Sequence, residues 1–428
     1  MSLRPNPRRE ATEARLATLV LPASGAWLRA ARTAARDRLA TLGLPQRRDE
    51  YWRFTDPTTL TALEPTPAAP LHDTEGEPFA EAGALRLVFV DGRFDAASSD
   101  DLAMAGVEIT CLAEAGALDL HWAQGLYGVL EAEGQSPVPR PLAALNSAYA
   151  IDGLLIRVTA PAPRPIHVVH RHEDPASDVI LHHVLRVEAG AAVTLLESGP
   201  AAARFNGVLE ADLGEGAALH HVRTQGRDHE RRAATHLFAR LAKGAQLRSF
   251  TLTFNGVLTR NEAVVRLNGE GALAHLAGAA VGDGEFHHDD TVFVTHDAVG
   301  CESRQVFKKV LRNGAVGVFQ GKIKVEPGAQ KTDGYQLSQA LLLDERSTFL
   351  AKPELEIYAD DVACSHGSTA GAIDETALFY LRSRGVPARD AMDLLVLAFL
   401  REALAEVADE ALAHDLSGRL EGWLARRR

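Results

Sequence analysis

Cysteine is scarce in this sequence, with three residues among 428, at Cys111, Cys301 and Cys364. So few cysteines cannot form a disulfide framework, and their scarcity is typical of a protein from a reducing cytoplasm. Long apolar runs are also missing, since no segment approaches the roughly 18 uninterrupted apolar residues of a membrane span. No apolar segment follows the arginine-containing stretch Met1–Glu10, so we predict no signal peptide. We expect a cytoplasmic protein without a membrane segment.

Positive charge is in deficit, with 45 Lys and Arg against 57 Asp and Glu and a formal net charge of −12. An acidic surface repels the phosphate backbone of nucleic acids, so nucleic-acid binding is excluded as a general function. The hydrophobic content of 46% is ample for a sizeable core. A chain of this length with such a core predicts two or three domains.

Composition divides the chain into four regions. The first sixty residues are helical in character, with Ala, Arg and Leu dominating Ala11–Leu42 and Gly43 ending the run. Prolines mark a linker at Thr61–Pro78. Leu85–Val90 is a predicted strand with a turn at Asp91 and Gly92. The predicted regions are an N-terminal helical region (1–75), a mixed connecting region (76–150), a β-rich core (151–370) and a C-terminal helical domain (371–428).

A weak repeat runs through the β-rich core. It consists of an aliphatic residue, two variable residues and Gly-Ala, and Leu267 begins a copy with one extra residue. The copies begin at Val187, Leu213, Leu241, Leu267, Leu311 and Val325. The intervals are 26, 28, 26, 44 and 14 residues. A strand–glycine turn–strand unit at a nearly fixed interval indicates a solenoid, and strands without intervening helices favour a parallel β-helix. An antiparallel sandwich with glycine turns is the alternative.

The C-terminal domain has clear helix signals. Asp374 is a plausible N-cap for a helix through Leu381, Gly385 can end it, and Pro387 can open the next. Four apolar residues of that second helix fall at i, i+3, i+4 and i+7 and predict its buried face: Met392, Leu395, Val396 and Phe399. A last helix is predicted over Glu410–Leu424.

Histidine is frequent, with seventeen residues and three adjacent pairs beginning at His182, His220 and His287. Adjacent side chains on a strand point to opposite faces, so such a pair does not form a shared metal site. We interpret these as surface histidines, and His287–Asp290 as a loop.

The segment Gly317–Lys322 resembles a phosphate-binding loop only superficially. Its glycine spacing is one residue short, and Ile323 stands where Ser or Thr would bind magnesium. No helix follows whose N-terminus could hold a phosphate. We predict a turn pair in the solenoid and no ATP hydrolysis by this chain.

The most informative segment is Asp360–Gly367. Cys364 and His366 are two residues apart in an extended stretch, so their side chains project on the same face, and both residue types bind iron. A complete cluster usually needs four protein ligands, so the others would come from another molecule. The alternative is a buried cysteine and a turn histidine.

The stretch from Gln339 to Phe399 resembles the C-terminal core of the SufB/SufD family. The resemblance is carried by these segments: Leu341–Leu343, Lys352–Ile357, Asp360–Gly367 and Leu378–Val386. A weaker resemblance extends back through the β-rich region to Arg48–Thr55, so nearly the whole chain is covered. In SufB-type members Glu-His-Glu follows the cysteine, whereas Ser365, His366 and Gly367 follow Cys364 here, which is the SufD-type pattern.

The resemblance implies a right-handed parallel β-helix between helical ends. It implies a cytoplasmic complex with SufB and the ABC-type ATPase SufC, which assembles iron–sulfur clusters with sulfur from a cysteine desulfurase. The ATPase would then be a separate chain and this subunit a scaffold with no catalytic residues. The resemblance also implies flavin binding by the assembled complex, and we expect that the isolated chain can form a homodimer.

The resemblance also implies roles for individual residues. His366 would face a SufB cysteine across the subunit interface, where a transient cluster forms, and Cys364 matches the same motif. The SufC docking element would include these residues: Leu378, Phe379, Tyr380, Arg384, Gly385 and Phe399. The apolar face of these helices could equally pack on the chain's own β-helix. The resemblance assigns no role to Cys111 or Cys301, which we expect to be buried thiols.

Two other functions fit a β-solenoid. A polysaccharide lyase would need clustered carboxylates and basic residues on one face, for which Asp289, Asp290, Lys308 and Lys309 are candidates. A structural filament protein would stack end to end, but the helical regions at both ends argue against open stacking.

Overall fold

The computed structural model describes residues 6–70, 76–226, 230–254 and 256–426. The fold is mainly β, a parallel β-helix flanked by N- and C-terminal helices, as predicted. The helices are α1 Pro7–Ala17, α2 Ala26–Leu42, α3 Thr58–Thr61, α4 Leu112–Ala115, α5 Val129–Glu133, α6 Pro141–Tyr149, α7 Glu375–Ser383, α8 Ala388–Leu404 and α9 Glu410–Arg426. Short 3-10 turns occur at Glu50–Trp52, Ala80–Ala82 and Trp122–Gly125.

The strands alternate between two sheets. Sheet A contains β1 Leu85–Val90, β2 Arg93–Phe94, β5 Ile166–Arg171, β7 Ala192–Ser198, β9 Ala218–Gln225, β11 Gln246–Phe254, β13 Leu273–Asp283, β15 Glu302–Arg312, β17 Asp333–Leu342 and β19 Ala363–Gly371. Sheet B contains β3 Val107–Cys111, β4 Leu154–Val158, β6 Asp178–Val187, β8 Arg204–Leu213, β10 Arg232–Leu241, β12 Leu258–Leu267, β14 His287–His296, β16 Val316–Val325 and β18 Thr348–Ile357.

Stacked coils explain the repeat. Val187, Leu213, Leu241 and Leu267 are direct register partners on successive parallel strands of sheet B. All four are buried in one continuous core. The repeat glycines Gly190, Gly216, Gly244 and Gly271 have φ between 63° and 70°, a left-handed conformation that glycine adopts without steric cost. The predicted stacking is therefore confirmed.

One copy of the repeat belongs to the other sheet. Leu311 lies on β15 of sheet A, which accounts for the irregular intervals of 44 and 14 residues. The true partner of Leu267 is His296, followed by Val325 and Ile357. The sequence pattern missed His296 because the position is polar. Its buried ring is accommodated by a 2.8 Å hydrogen bond between Nε2 and Ser303 Oγ.

The N-terminal region covers the outer face of sheet B. The single helical run predicted over Ala11–Leu42 is two helices, α1 and α2, and the segment between them contains Pro22. The second helix ends at Gly43, whose φ is 70°, as predicted. Residues 71–75 of the predicted linker lie outside the described residues. The strand Leu85–Val90 is confirmed and turns at Asp91 and Gly92 into β2.

A chain of buried ions joins the N-terminal region to sheet B. Arg260 Nε lies 2.8 Å from Glu262 Oε1, and its guanidinium also pairs with Asp289. Arg140 Nε lies 2.9 Å from the other oxygen of Glu262. The guanidinium of Arg260 stacks 4.2 Å from the ring centroid of Trp52. Each charge in this buried chain has an opposite charge beside it, which offsets much of the cost of removing it from water.

The C-terminal helices α8 and α9 pack on the outer face of sheet A. Asp374 caps α7 through hydrogen bonds from the backbone N–H groups of Thr376 and Ala377, as predicted. The buried face of α8 is not the one that the sequence predicted. Of the four predicted residues, Met392, Leu395, Val396 and Phe399, only Val396 is fully buried. The buried face is Val396, Leu400, Ala403 and Leu404, which pack with Val306 and Val310 of β15.

The histidine pairs are not surface features. His287–His296 forms strand β14 rather than a loop, and His182, His183, His221 and His288 are buried. Alternation places His182 outside the coil, where Nε2 lies 2.8 Å from Glu210 Oε2, and His183 inside it. Burial lowers the pKa of His183 to about 4, so this ring is neutral in the folded protein near pH 7.

The segment Gly317–Lys322 lies inside strand β16 and forms no turn. Its glycines face the interior of the coil, where neighbouring side chains fill the space. A side chain at position 317 would come within 2.8 Å of Lys309 Cδ, and one at 321 within 2.3 Å of Gln336 Nε2. Glycine at 317 and 321 therefore provides space for long polar side chains and does not bind phosphate.

Candidate functional site

The C-terminal end of the β-helix is open. Within the described residues, β18 pairs only with β16 and β19 only with β17, so both sheets end in a strand with one free edge. By contrast, at the other end β3 pairs antiparallel with β4, and β1 with β2. A free edge presents unpaired backbone N–H and C=O groups that can pair with another chain.

His366 and Cys364 lie on this last strand, β19. They are register partners of Gln336 and Gly334 on β17, whose positions face the interior of the coil. Parallel register places His366 and Cys364 on that same interior face, as the two-residue spacing predicted. His366 is exposed and Cys364 is half-buried. The structure therefore brings the two predicted ligand residues to one face of the open coil.

The two side chains have different surroundings. Cys364 packs against an apolar cluster that includes Ile323, Val325 and Ala359. Burial raises the pKa of its thiol. A thiol is a much weaker iron ligand than a thiolate. His366, exposed at the mouth of the coil, is therefore the better placed of the two to bind a ligand from outside.

The described residues contain no group of three or more His, Cys, Asp or Glu side chains arranged to hold a metal ion. His366 and Cys364 thus provide at most two ligands of the usual four of an iron–sulfur cluster. A cluster bound here would be completed by ligands from another molecule.

Two glutamines beneath His366 were missed by sequence analysis. Gln305 and Gln336 are fully buried register partners on β15 and β17, and Gln336 Nε2 donates to Gln305 Oε1 at 2.8 Å. His366 on β19 is the next register partner in the same column, directly after Gln336. The available signal was alternation, since both are polar residues at interior positions of strands whose other interior residues are mostly small or apolar.

The N-terminal turn Glu50–Trp52 supports the last coil from outside. The hydroxyl of Tyr51 donates to Glu354 of β18, and Lys352 Nζ lies 2.6 Å from Glu50 Oε1 and 3.9 Å from the centroid of the Tyr51 ring. These contacts attach the edge strand β18 to the same N-terminal segment that packs on Arg260. The edge of sheet B is thereby held in place by residues about three hundred positions away in the sequence.

The predicted docking residues fall into two groups. Phe379 and Tyr380 of α7 are 73% and 57% exposed, and no described residue of this helix is fully buried. Arg384 stacks 5.2 Å from the ring centroid of Tyr380, and Gly385 follows with φ 88°. Leu378 is half-buried. Phe399 instead contacts Lys308 of the chain's own β-helix, with Nζ 4.4 Å from its ring centroid.

The remaining candidates are structural. Cys111 and Cys301 are buried thiols, as expected, and burial raises the pKa of Cys111 to about 12. The residues that a lyase would need are buried and point in different directions. Lys309 pairs with Asp290 inside the coil, and Lys308 pairs with Glu402 of α8 outside it. They form no open cleft for a sugar.

No helix within the described ranges is long and apolar enough to cross a membrane.

The fold places the chain in the class of parallel β-helix proteins with helical regions at both ends. Residues 170–399 match the family model described as "SUF system FeS cluster assembly, SufBD core domain". The matched region spans more than half of the chain and includes both His366 and α7. The chain belongs to the SufB/SufD family of iron–sulfur cluster assembly proteins.

Relatives support this assignment over almost the full length. The chain is 30% identical to the iron–sulfur cluster assembly protein SufD of Escherichia coli K12 over 393 residues, which cover 90% of each chain. It is 32% identical to a SufBD family iron–sulfur cluster assembly protein of Synechocystis over 419 residues, 91% of this chain and 88% of the relative. SufD of Bacillus subtilis is 27% identical over 292 residues, 65% of this chain and 66% of that protein.

Proposed function

We propose that this chain is the SufD-type scaffold subunit of a cytoplasmic SUF complex, and that it pairs through its open end with a SufB-type subunit. The observation that carries this proposal is the pair of free edges at β18 and β19, together with the exposed His366 on β19. A second β-helix that docks there would continue the sheets and close the open coil. It would also bring its own ligands to His366.

In this proposal the iron–sulfur cluster is the product that the complex assembles and releases, and the chain performs no chemistry of its own. His366 would supply a ring nitrogen to iron, and the partner subunit would supply the remaining ligands. Cys364 would contribute only if docking withdrew its sulfur from the apolar cluster and removed its proton. Flavin binding by the assembled complex stays a prediction from the family resemblance and concerns no residue of this site.

We further propose that α7 is the docking element for the ATPase SufC. Its exposed aromatic residues, Phe379 and Tyr380, are the kind of side chain that carries binding energy when a partner covers it. The neighbouring helix α8 is committed to the β-helix through Val396 and Leu400. In this proposal α7 docks the ATPase, and α8 packs on the chain's own β-helix.

The open-end pairing can be tested at the backbone. Ala363 N–H donates to Thr332 C=O at 2.8 Å, so by alternation the N–H groups of Ser365, Gly367 and Thr369 face β17 and that of Ser368 faces the free edge. Ser368→Pro removes an outward N–H without breaking the internal ladder. Co-expressed with SufB- and SufC-type subunits, this variant should lose the SufB-type partner.

The matched control is Ser368→Ala, which removes only a hydroxyl and should retain the partner. Where the isolated chain forms a homodimer, we propose that it uses the same edge, so Ser368→Pro should then give a monomer in sedimentation analysis. Normal recovery of the SufB-type subunit by a folded Ser368→Pro variant would show that the edge of β19 is not the interface.

Docking of the ATPase can be tested without disturbing the fold. Phe379→Ala combined with Tyr380→Ala should abolish copurification of the SufC-type subunit, because both side chains are exposed, and the Arg384 guanidinium that stacks on Tyr380 belongs to the same surface segment. Leu394→Ala is the control, since Leu394 is an apolar residue of α8 that is 49% exposed. Equal recovery of the ATPase with the double variant and the control would refute the assignment of α7.

The ligand role is tested in the recovered complex. Clusters are reconstituted on complexes that contain wild-type, His366→Ala or His366→Cys subunits, and cluster yield is read from visible absorption. Alanine should reduce the yield sharply, and cysteine should preserve more because it is also an iron ligand. Normal yield from an intact His366→Ala complex would exclude coordination by this residue.

A further inference from the structure

The side-chain amide of Gln336 has one hydrogen-bonded end and one end without a partner. Its side chain is fully buried inside the last two coils, and its Nε2 donates to Gln305 Oε1 at 2.8 Å. The other end of the amide, Oε1, is buried without a hydrogen-bond partner. An unsatisfied buried acceptor is costly, so the free oxygen indicates that a donor belongs beside it.

The geometry indicates where that donor comes from. Gln336 and His366 are direct register partners on β17 and β19, so their backbones are about 4.8 Å apart and their side chains project on the same face. Position 321, across the coil, is glycine, and any side chain there would collide with the amide of Gln336. The glycine at 321 therefore provides the space that the Nε2 end of this amide occupies.

We propose that Gln336 is a positioning residue for His366, in that its Oε1 accepts a hydrogen bond from one ring N–H of His366. Side-chain rotation of the exposed histidine on the adjacent strand brings that N–H within reach. The bond selects one tautomer of the neutral ring and leaves the lone pair of the other nitrogen directed toward the open end. Histidine ligands of metals are commonly fixed in this way by an acceptor behind the ring.

Gln305 contacts the other end of the Gln336 amide. Its Oε1 accepts from Gln336 Nε2, so with Gln305 in this orientation a rotation of the Gln336 amide alone by 180° would place two carbonyl oxygens against each other. Gln305 Nε2 is itself buried without a partner, and Gln336 Oε1 is the end of the amide that Gln305 does not engage. This role deepens the proposed function, since it concerns the residue that we assign as the ligand of the nascent cluster.

The tautomer of His366 can be read directly. The full-length chain is labelled with ¹⁵N-histidine, the His366 signals are assigned by their absence from His366→Ala, and spectra are recorded at about pH 9, where an imidazole is neutral. A hydrogen bond of ordinary strength should bias the ring about fivefold toward one tautomer relative to Gln336→Met.

Ser338→Ala is the control. It removes the neighbouring interior hydrogen bond to Ser368, 2.9 Å long, without changing the acceptor beneath His366. It should leave the tautomer ratio unchanged. If Gln336→Met does not fold, Gln305→Met tests the same chain of amides, because it frees the Gln336 amide to rotate and should reduce the bias.

The proposal is overturned if the wild-type chain and Gln336→Met show the same tautomer ratio. Its failure is distinguishable from that of the proposed function, because cluster yield is measured separately on the complex. If the wild-type chain shows a fixed tautomer and the His366→Ala complex gives a normal cluster yield, Gln336 positions His366 but His366 is not a ligand of the cluster.

Discussion

Leu241 and Ile357 occupy the same position in two coils of one solenoid, yet their environments differ completely. Both belong to the register column that begins at Val187, but Leu241 is fully buried and Ile357 is 40% exposed. The difference is that a coil lies on both sides of Leu241 and on only one side of Ile357. A solenoid coil is therefore complete only when its neighbours are present, and the last coil of this chain lacks one.

The same contrast holds for the interior polar residues. In the middle coils Lys309, Asp290 and Asn261 form a closed network with His288. At the last coil the corresponding ladder ends in the free oxygen of Gln336. The buried charges of this middle network are thus paired within the chain, although other interior atoms such as His296 Nδ1 and Gln305 Nε2 have no hydrogen-bond partner, like Gln336 Oε1.

Acid should have the largest effect, and it should act on the inner coils. Burial lowers the pKa of five histidines: His167, His183, His236 and His296 to about 4, and His170 to about 3. In the unfolded chain these rings take up a proton near pH ~6.5, so the stability they contribute is complete above that pH and is lost as the pH falls toward 4.

Each such shift corresponds to roughly 3 kcal/mol, so five together reach the upper end of a typical stability of about 5–15 kcal/mol. We expect the folded chain to unfold before about pH 4, with the urea midpoint already falling between about pH 7 and 5. His296→Leu, which removes one buried imidazole, should make this pH dependence shallower. A midpoint that rises on acidification would contradict the burial of these rings.

Arg260 and Lys352 offer a comparison of charges that attach the same N-terminal turn to sheet B. Arg260→Met strands the buried carboxylates of Glu262 and Asp289 and should cost about 3–5 kcal/mol. Lys352→Met breaks a pair with Glu50, which is 73% exposed, and should cost about 1 kcal/mol or less. Urea unfolding of both variants measures the difference, and equal losses would show that the ion chain is not the main attachment.

Leu241 and Ile357 provide the direct test of coil completeness. Leu241→Ala leaves a cavity in a closed core and should cost about 2–5 kcal/mol. Ile357→Ala removes a side chain that is already partly in water, so it should cost the isolated chain about 1 kcal/mol or less. In the assembled complex the Ile357 variant should instead weaken subunit association. If Ile357→Ala destabilised the monomer as strongly as Leu241→Ala, the last coil would be complete without a partner.

His366 should have the smallest effect on stability. Its side chain is exposed at the mouth of the last coil, so His366→Ala should change the free energy of unfolding by about 1 kcal/mol or less. The melting temperature of the isolated chain measures this. A large drop would indicate that the ring supports the fold and would favour a structural role over a ligand role.

Sequence patterns predicted the architecture correctly where a short unit repeats and each copy has the same structural role. The aliphatic–Gly-Ala unit identified stacked coils because each copy needs a buried residue followed by a left-handed glycine. The pattern failed at His296, where a polar ring fills the aliphatic position, and at Leu311, where the other sheet carries a similar turn. Asp374 was found as a cap because capping depends on neighbours within three residues.

The same reasoning misplaced features whose environment depends on distant residues. His287–Asp290 was interpreted as a loop because four polar residues rarely form a buried strand. Its burial is made possible by partners from distant segments, among them Arg260 and Asn261 of β12 and Lys309 of β15. The face of α8 was rotated because the sequence does not show which side meets β15. Gln336 was missed because strand alternation places it inside the coil but does not show that His366 is its register partner on the next strand.

The sequence by itself determined the solenoid, its helical ends and the pairing of Cys364 with His366 on one strand face, because these follow from spacings of two residues or from a short repeated unit. Only the tertiary structure decided that Cys364 packs into an apolar cluster while His366 remains exposed, and that Gln336 lies beneath it. These differences arise because each coil takes its environment from the coils on either side, and the last coil of this chain has a neighbour on one side alone.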